Sequence, residues 1–389
     1  MKTLEYSCAL CAAITLMVFF GVSFIFGKLP DKAIYKTYRE SRLLMGFAML
    51  ELSANYCVHF FVSPRFFNLE LTIYMNLCTY FLSAWLFSCA MMHLMVRGYY
   101  TRRRTTRHLV AWVAYCLVSF IALTLAPAGM PKRIVLLVMS VVFLGYSGVL
   151  AHRLFVGLRT IKAKLDSYHS DDLYAYVRWM SVFTYWAMVY GVGQGLFTFI
   201  PDRYVVYWIL SSIPFYVYLY VSYKNYLLFF EQVETVSLAA DEPDEMPANV
   251  NETVQAQENV AVAATAPASA EADEDAEKEA ALTSRLEQWI ARREFARNGL
   301  TIVDLARDLG TNRTYVSTYI NAHYRMSFRE WVNALRINYA KELLTTRPDY
   351  SVATIAQEAG YMSLSHFSKT FAATTGVTPG KWRRDQPKA

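Results

Sequence analysis

The chain has 389 residues, of which 55% are hydrophobic and only 18% are charged, and its mean hydropathy is +0.20. These averages exclude a disordered chain and an ordinary soluble domain. The formal charge is unevenly distributed: residues 1–230 carry +12, residues 231–280 carry −13 and residues 281–389 carry +7. This division predicts a membrane domain at 1–230, an acidic linker at 231–281 and a basic soluble module at 282–389.

Seven apolar stretches in the first domain are each close to the roughly 20 residues that a helix needs to cross a bilayer. The loops between them alternate between rich and poor in Lys and Arg, and the rich loops are 28–42, 97–107 and 153–178. Because basic loops stay in the cytoplasm, we expect the N-terminus outside and everything after residue 230 inside. The predicted spans are 6–27, 42–62, 70–96, 109–126, 134–157, 177–200 and 204–228.

Several polar side chains lie within the predicted spans, where a charged group is costly unless it is paired, protonated or hydrated. Glu51, Asn55 and His59 follow one another at intervals of four, so they share one face of the second span. Two interpretations remain open: a polar cavity that opens to the outside and binds a small ligand or protons, or a hydrogen-bonded seam between helices. The candidate residues are Glu51, Asn55, His59, Asn76 and Gln194.

The acidic linker is rich in Ala, Glu, Asp, Pro and Val and shows no apolar periodicity. Such a segment cannot bury enough surface to order itself, so we predict a disordered tether. A flexible coil of about 50 residues has a mean reach of roughly 40 Å, which lets the module reach DNA near the membrane.

The basic module contains an internal repeat of a helix-turn-helix pattern. Each copy has apolar residues at i, i+3, i+4 and i+7, then a glycine, then a second helix; the first copy begins at Ile302 and the second at Val352, fifty residues later. Thr301 and Ser351 are the predicted N-caps. Two such units on a basic module favour DNA binding, because the second helix of each unit enters the major groove. The residues predicted to carry the fold are Ile302, Leu305, Ala306, Ile355, Ala356, Phe367, Phe371 and Pro379.

The end of the module carries the most specific pattern in the chain. The stretch from Gly360 to Phe371 reads GYMSLSHFSKTF, and Gly376-Val377-Thr378-Pro379 and Trp382-Arg383 follow. This spacing resembles the C-terminal signature of the AraC/XylS-type transcription regulators, and residues 327–344 look like the linker helix of that family. The resemblance covers about residues 283–385. It implies a seven-helix, all-α DNA-binding domain whose two recognition helices read successive segments of the major groove.

The same resemblance implies which side chains meet DNA. Arg313 and Lys369 would donate to guanine, whereas Leu364 would pack on a thymine methyl group. Thr318 and Ala372 stand where the family often has a basic residue, so the first recognition helix has few strong readers. The implied base-contacting residues are Arg313, Thr314, Ser317, Thr318, Leu364, Ser365, Ser368 and Lys369, and the arginines suited to phosphate contacts are Arg292, Arg293, Arg325, Arg383 and Arg384.

The sequence therefore predicts an all-α, membrane-tethered transcription regulator in the inner membrane of a bacterium, with its DNA-binding module in the cytoplasm. The alternatives are a transporter or membrane enzyme with an autoregulatory module, and an anchor that holds DNA at the membrane. No HExxH, Walker loop, kinase signature or nucleophile–base set occurs, so no enzymatic activity, cofactor or metal is predicted. The expected partners are double-stranded DNA and the lipid bilayer; RNA polymerase, a second copy of the chain and a small ligand of the membrane domain are further candidates.

Overall fold

The computed structural model describes residues 4–241 and 268–385, and every regular element in this part of the chain is a helix. The all-α prediction is therefore confirmed for the described residues. The chain divides into two compact units: residues 1–162 together with 176–235, and residues 163–175 together with 236–389.

Eight α-helices are described before residue 242. Their lengths follow the apolar stretches of the sequence, and two of them, α5 and α8, extend well beyond the length that a bilayer requires. The helices are α1 (Leu4–Phe26), α2 (Lys36–Phe61), α3 (Leu69–Met95), α4 (Arg102–Leu125), α5 (Met130–Tyr168), α6 (Tyr174–Val177), α7 (Trp179–Phe197) and α8 (Asp202–Asp241).

Six helical segments in the described residues are long and apolar enough to cross a membrane: 4–26, 33–61, 69–95, 102–125, 130–168 and 204–239. The remaining predicted span, 177–200, coincides with α7, which is not among these six segments. A count of seven spans therefore stays a prediction. Large apolar side chains cover the outside of α4 and α5; Val118, for example, is 66% exposed. Water penalises such a surface, whereas lipid tails solvate it.

Helices overlap both ends of the predicted acidic linker. α8 continues to Asp241, eleven residues beyond the predicted boundary at 230, because Val233 and Val236 extend its buried face. The next helix begins at Ala268 and includes residues 268–281. The structure therefore has helix at 231–241 and 268–281, where the sequence predicted disorder. The rest of the predicted tether, 242–267, lies outside the described residues.

The second unit contains seven α-helices within its described C-terminal part, the number that the family resemblance implies. They are short and closely connected, apart from the first helix and the central α12. The helices are α9 (Ala268–Ala291), α10 (Ile302–Asp308), α11 (Arg313–Tyr324), α12 (Phe328–Thr346), α13 (Val352–Glu358), α14 (Leu364–Thr375) and α15 (Pro379–Asp385).

Local chemistry fixes the ends of the paired helices. Thr301 and Asp304 form a reciprocal capping box at the start of α10. The Ser351 side chain accepts from the backbone N–H of Thr354 at the start of α13. Gly310 and Gly360 turn the chain out of α10 and α13 with φ of +65° and +85°, a conformation in which side chains are strained. The predicted caps and turns are confirmed.

The core of the second helix-turn-helix unit forms against α12. Ile355 and Ala356 of α13 and Phe367 and Phe371 of α14 are buried together with residues of α12 such as Ile337. The small Ala356 lets the two helices approach closely. The residues predicted to carry the fold are all buried: Ile302, Leu305, Ala306, Ile355, Ala356, Phe367, Phe371 and Pro379.

Candidate nucleic-acid interface

α11 and α14 are the second helices of the two units, which makes them the candidate recognition helices. Asn312 and Ser363 cap them, each accepting from a backbone N–H three residues on. One face of each helix is fixed in the core, by Val316 and Ile320 in α11 and by Phe367 and Phe371 in α14. The opposite faces are thereby held outward at a defined angle.

The eight implied base readers lie on these outward faces, at positions i, i+1, i+4 and i+5 of each helix. Those that are exposed are Thr314 and Thr318 in α11, and Leu364, Ser365 and Lys369 in α14. Arg313, Ser317 and Ser368 are half-buried. Leu364 is 47% exposed at the first position of α14, where an apolar side chain suits a thymine methyl. The geometry permits readout, and contact with bases stays a prediction.

Arg313 has a contact within the second unit that the sequence did not indicate. Its Nη1 donates to the carbonyl oxygen of Ala239, 3.0 Å away, in the last turn of α8. The final carbonyls of a helix have no intrahelical donor and carry partial negative charge. Arg313 therefore caps the C-terminal end of α8.

The five arginines suited to phosphate contacts have different environments. Arg292, Arg325 and Arg384 are exposed. Arg293 is held by the module itself, since it pairs with Glu342 at 2.9 Å and lies over the ring of Tyr339. Arg383 is half-buried, and its Nε and Nη2 have no hydrogen-bond partner among the described residues. Of the five arginines, Arg293 is therefore the least suited to bind a phosphate, because Glu342 and Tyr339 already engage its guanidinium.

Two arginines of α12 contact a distant acidic segment, and nothing in the sequence had predicted these contacts. The fully buried Arg336 donates to the carbonyls of Phe295 and Arg297, at 2.9 and 2.7 Å, and to Asp171 at 3.2 Å. Burial lowers the pKa of Arg336, and Asp171 opposes that shift.

The second of these arginines, Arg329, pairs with two carboxylates, Asp166 at 2.7 Å and Asp172 at 3.1 Å. The acidic partners of both arginines lie at the end of α5 (Asp166) and in the loop that follows it (Asp171 and Asp172). The sequence indicated only the basic character of this stretch. The available signal was the presence of three aspartates within the seven residues 166–172.

The polar residues of the first unit fall into separate groups. Asn76 Oδ1 accepts from Asn55 Nδ2 at 3.1 Å and from His59 Nε2 at 2.8 Å, and all three side chains are 5% exposed. This triad matches the hydrogen-bonded seam. Glu51 instead accepts a hydrogen bond from the Ser83 hydroxyl, one turn away from the triad.

Gln194 lines a different space, a cavity of about 60 Å³. Ser83 and Ser147 line it too, and the buried Ser147 hydroxyl has no hydrogen-bond partner among the described residues. The structure therefore does not bring the five predicted polar residues together in one site. It brings three together, whereas Glu51 is hydrogen-bonded to Ser83, which also lines the cavity beside Gln194.

Comparison with known proteins shows which family the paired helix-turn-helix units resemble. A family model described as a helix-turn-helix domain matches residues 305–385. The HTH-type transcriptional regulator ExsA of Pseudomonas aeruginosa is 33% identical over 87 residues, which are 22% of this chain and 31% of that protein. The match falls on the paired helix-turn-helix units and their signature. Residues 305–385 form an AraC-type DNA-binding domain.

Other relatives of this AraC-type domain have related descriptions. The melibiose operon regulatory protein of Escherichia coli is 32% identical over 85 residues, which are 22% of this chain and 28% of that protein. A solved structure of a transcriptional regulator from Chromobacterium violaceum, titled as an AraC-type DNA-binding domain-containing protein, is 26% identical, covers 29% of this chain and 98% of that chain, and has a TM-score of 0.25. The chain spans about a third of the length of the two curated relatives.

Proposed function

We propose that this protein is a membrane-attached, sequence-specific DNA-binding transcription regulator. The observation that carries the proposal is the presence, in one chain, of an AraC-type domain and of six helices long and apolar enough to cross a membrane. The two curated relatives are regulators by their names. No enzymatic activity is proposed.

The protein would reside in the inner membrane of a bacterium with the AraC-type domain in the cytoplasm. Support comes from the alternation of basic and poor loops along residues 1–230, because basic loops stay cytoplasmic. If α7 crosses the membrane in addition to the six apolar segments, the seven crossings put the N-terminus outside. The domain then faces the compartment that contains DNA.

Base readout by the outward faces of α11 and α14 belongs to the same proposal. The strongest reader would be Lys369, an exposed cation on α14 that can donate to guanine O6 and N7. Exposed arginines such as Arg292, Arg325 and Arg384 would bind phosphates and add salt dependence. A second copy of the chain and RNA polymerase are the proposed protein partners.

The membrane unit would act as the sensor. Support comes from the cavity beside Gln194, whose walls include aromatic rings such as Phe183 and Phe215. The Ser147 hydroxyl also lines it and has no hydrogen-bond partner in the described part of the chain. Such a lining suits a small, mostly apolar ligand with one hydrogen-bonding group. Ser147→Leu would fill the cavity. We expect it to abolish the response of bound promoters to changing growth conditions, whereas Val138→Leu on the exposed face of α5 leaves the response intact.

The function is tested by genome-wide cross-linking occupancy of the full-length protein with a C-terminal tag. We expect a few sharp promoter sites, and we expect Lys369→Ala to lose them or to broaden their sequence preference. Lys381→Ala is the matched control, because it removes the same charge from an exposed position of α15 outside the recognition helices. Occupancy without sequence preference would refute sequence-specific regulation.

A further inference from the structure

The end of α5 and the loop after it contact the α12 helix of the AraC-type domain through three carboxylates, within the second unit. Asp166 and Asp172 flank Arg329, and Asp171 reaches Arg336. The side chains of Arg329 and Asp166 are each only 19% exposed, so these pairs are shielded from water on most sides. Charge pairs of this kind select a partner and an orientation more than they add affinity.

Backbone contacts add to the ion pairs. The Ser170 N–H donates to the carbonyl of Leu300 at 3.0 Å, and His169 forms an antiparallel bridge with Thr301. Ser170 itself is fully buried. The loop thus aligns its backbone with the turn just before α10, the first helix of the first helix-turn-helix unit. We call residues 163–175 the docking segment.

A second contact holds the first helix-turn-helix unit, and it comes from a different part of the chain, the end of α8. Arg313, the first residue of recognition helix α11, donates to Ala239 at the end of α8. A guanidinium that closes a helix end cannot at the same time lie flat against a guanine edge in the major groove. The contact therefore occupies the one strong cation among the implied base readers of α11.

We propose that the docking segment and the end of α8 hold the AraC-type domain in a state that does not read DNA, and that releasing them switches it on. α12 is thus an intramolecular docking surface for an acidic segment. This switch rests on the proposed function and regulates the same DNA-binding site.

Two features of the chain make such a switch workable. The docking segment begins within α5 and ends within α6, shortly before α7, and Ala239 belongs to α8. Both holding contacts are therefore continuous with helices that the proposed sensor would move. Covalent connection also gives these contacts a high effective concentration, so modest contacts suffice to compete with DNA. DNA competes by offering phosphates to the same arginine-rich unit.

The test compares full-length proteins in nanodiscs for binding to one DNA sequence, the sequence that the Asp166/Asp172 variant described next selects in vitro. Asp166→Asn with Asp172→Asn removes both partners of Arg329 while leaving Asp171 on the buried Arg336. Asp349→Asn with Glu358→Gln removes the same two charges from exposed positions of the domain outside the docking contact. Hydrogen exchange at the Ser170 amide reports undocking in each protein.

We expect the Asp166/Asp172 variant to bind DNA about tenfold more tightly than the control variant, since it loses two partly shielded ion pairs. Its Ser170 amide should exchange faster. Equal DNA affinity of the two variants would overturn the proposal, whether or not the Ser170 amide exchanges faster. Failure of every protein, wild type included, to select a DNA sequence would instead refute the proposed function, and this inference with it.

Discussion

Gly360 lies where the second helix-turn-helix unit passes closest to the chain before α10. Its φ is +85°, and a Cβ built there would lie 2.5 Å from the carbonyl oxygen of Ala296 and 2.8 Å from the carbonyl carbon. Both neighbours are backbone atoms, so no side-chain rotation can relieve the clash. Gly360→Ala therefore combines two penalties, the positive φ and the overpacking.

The size of each penalty can be separated with a matched variant. A positive φ costs an alanine roughly 1–2 kcal/mol, and overpacking of a closed site adds roughly 1–3 kcal/mol. Gly376 has a φ of +77° at the end of α14, with nothing within 4 Å of a built Cβ. Gly376→Ala should therefore show the first penalty alone, and Gly360→Ala should lose more stability by the second amount.

Pulse proteolysis of the full-length chain across a urea gradient measures this difference. The readout is the urea concentration at which the C-terminally tagged AraC-type domain becomes cleavable. We expect a clearly lower midpoint for Gly360→Ala than for Gly376→Ala. Equal midpoints would refute the close approach of Gly360 to Ala296. They would also refute the packing of the second helix-turn-helix unit on the residues before α10.

Three further predictions concern other parts of the chain. Thr301→Ala removes the capping box of α10 and should destabilise the domain by about 1 kcal/mol in the same assay. Burial lowers the pKa of His366 below its usual 6.5, so the neutral form is favoured in the fold. Its contribution to stability should be complete above about pH 6.5 and lost as the pH falls towards the lowered pKa, and His366→Gln should flatten this dependence in thermal melts. Asn76→Leu strands two buried donors, Asn55 and His59, and should lower the melting temperature of the detergent-solubilised protein, because each stranded donor costs about 1–3 kcal/mol.

The sequence predicted the AraC-type domain in detail because its signals are local. A cap, an apolar period and a glycine lie within about ten residues of one another, and together they determine where α10 and α13 begin and end. The recognition helices follow from the same pattern, since the buried face of each helix fixes its outward face.

The contacts of the docking segment could not be predicted from the sequence, because they join residues far apart in the chain. Asp171 and Arg336 are separated by 165 positions, and a loop aspartate is typical of a solvated surface. The membrane polar residues show the same limit. Helical spacing correctly put Asn55 and His59 on one face, but it put Glu51 there as well, and only packing decides that Asn76 faces the first two while Ser83 faces the third.

The hydrogen bonds of Arg336 determine how costly it is to release the docking segment. Leaving a buried charge without its partner typically costs about 3–5 kcal/mol, which exceeds the roughly 1–3 kcal/mol that couples two sites in most allosteric proteins. Two of the three groups that accept from Arg336 are carbonyls of Phe295 and Arg297, which belong to the same module and remain when the segment leaves. Only the hydrogen bond to Asp171 is lost. Departure of the segment also admits water to the guanidinium, so Arg336 by itself does not put undocking beyond the range that a ligand of the membrane unit can supply.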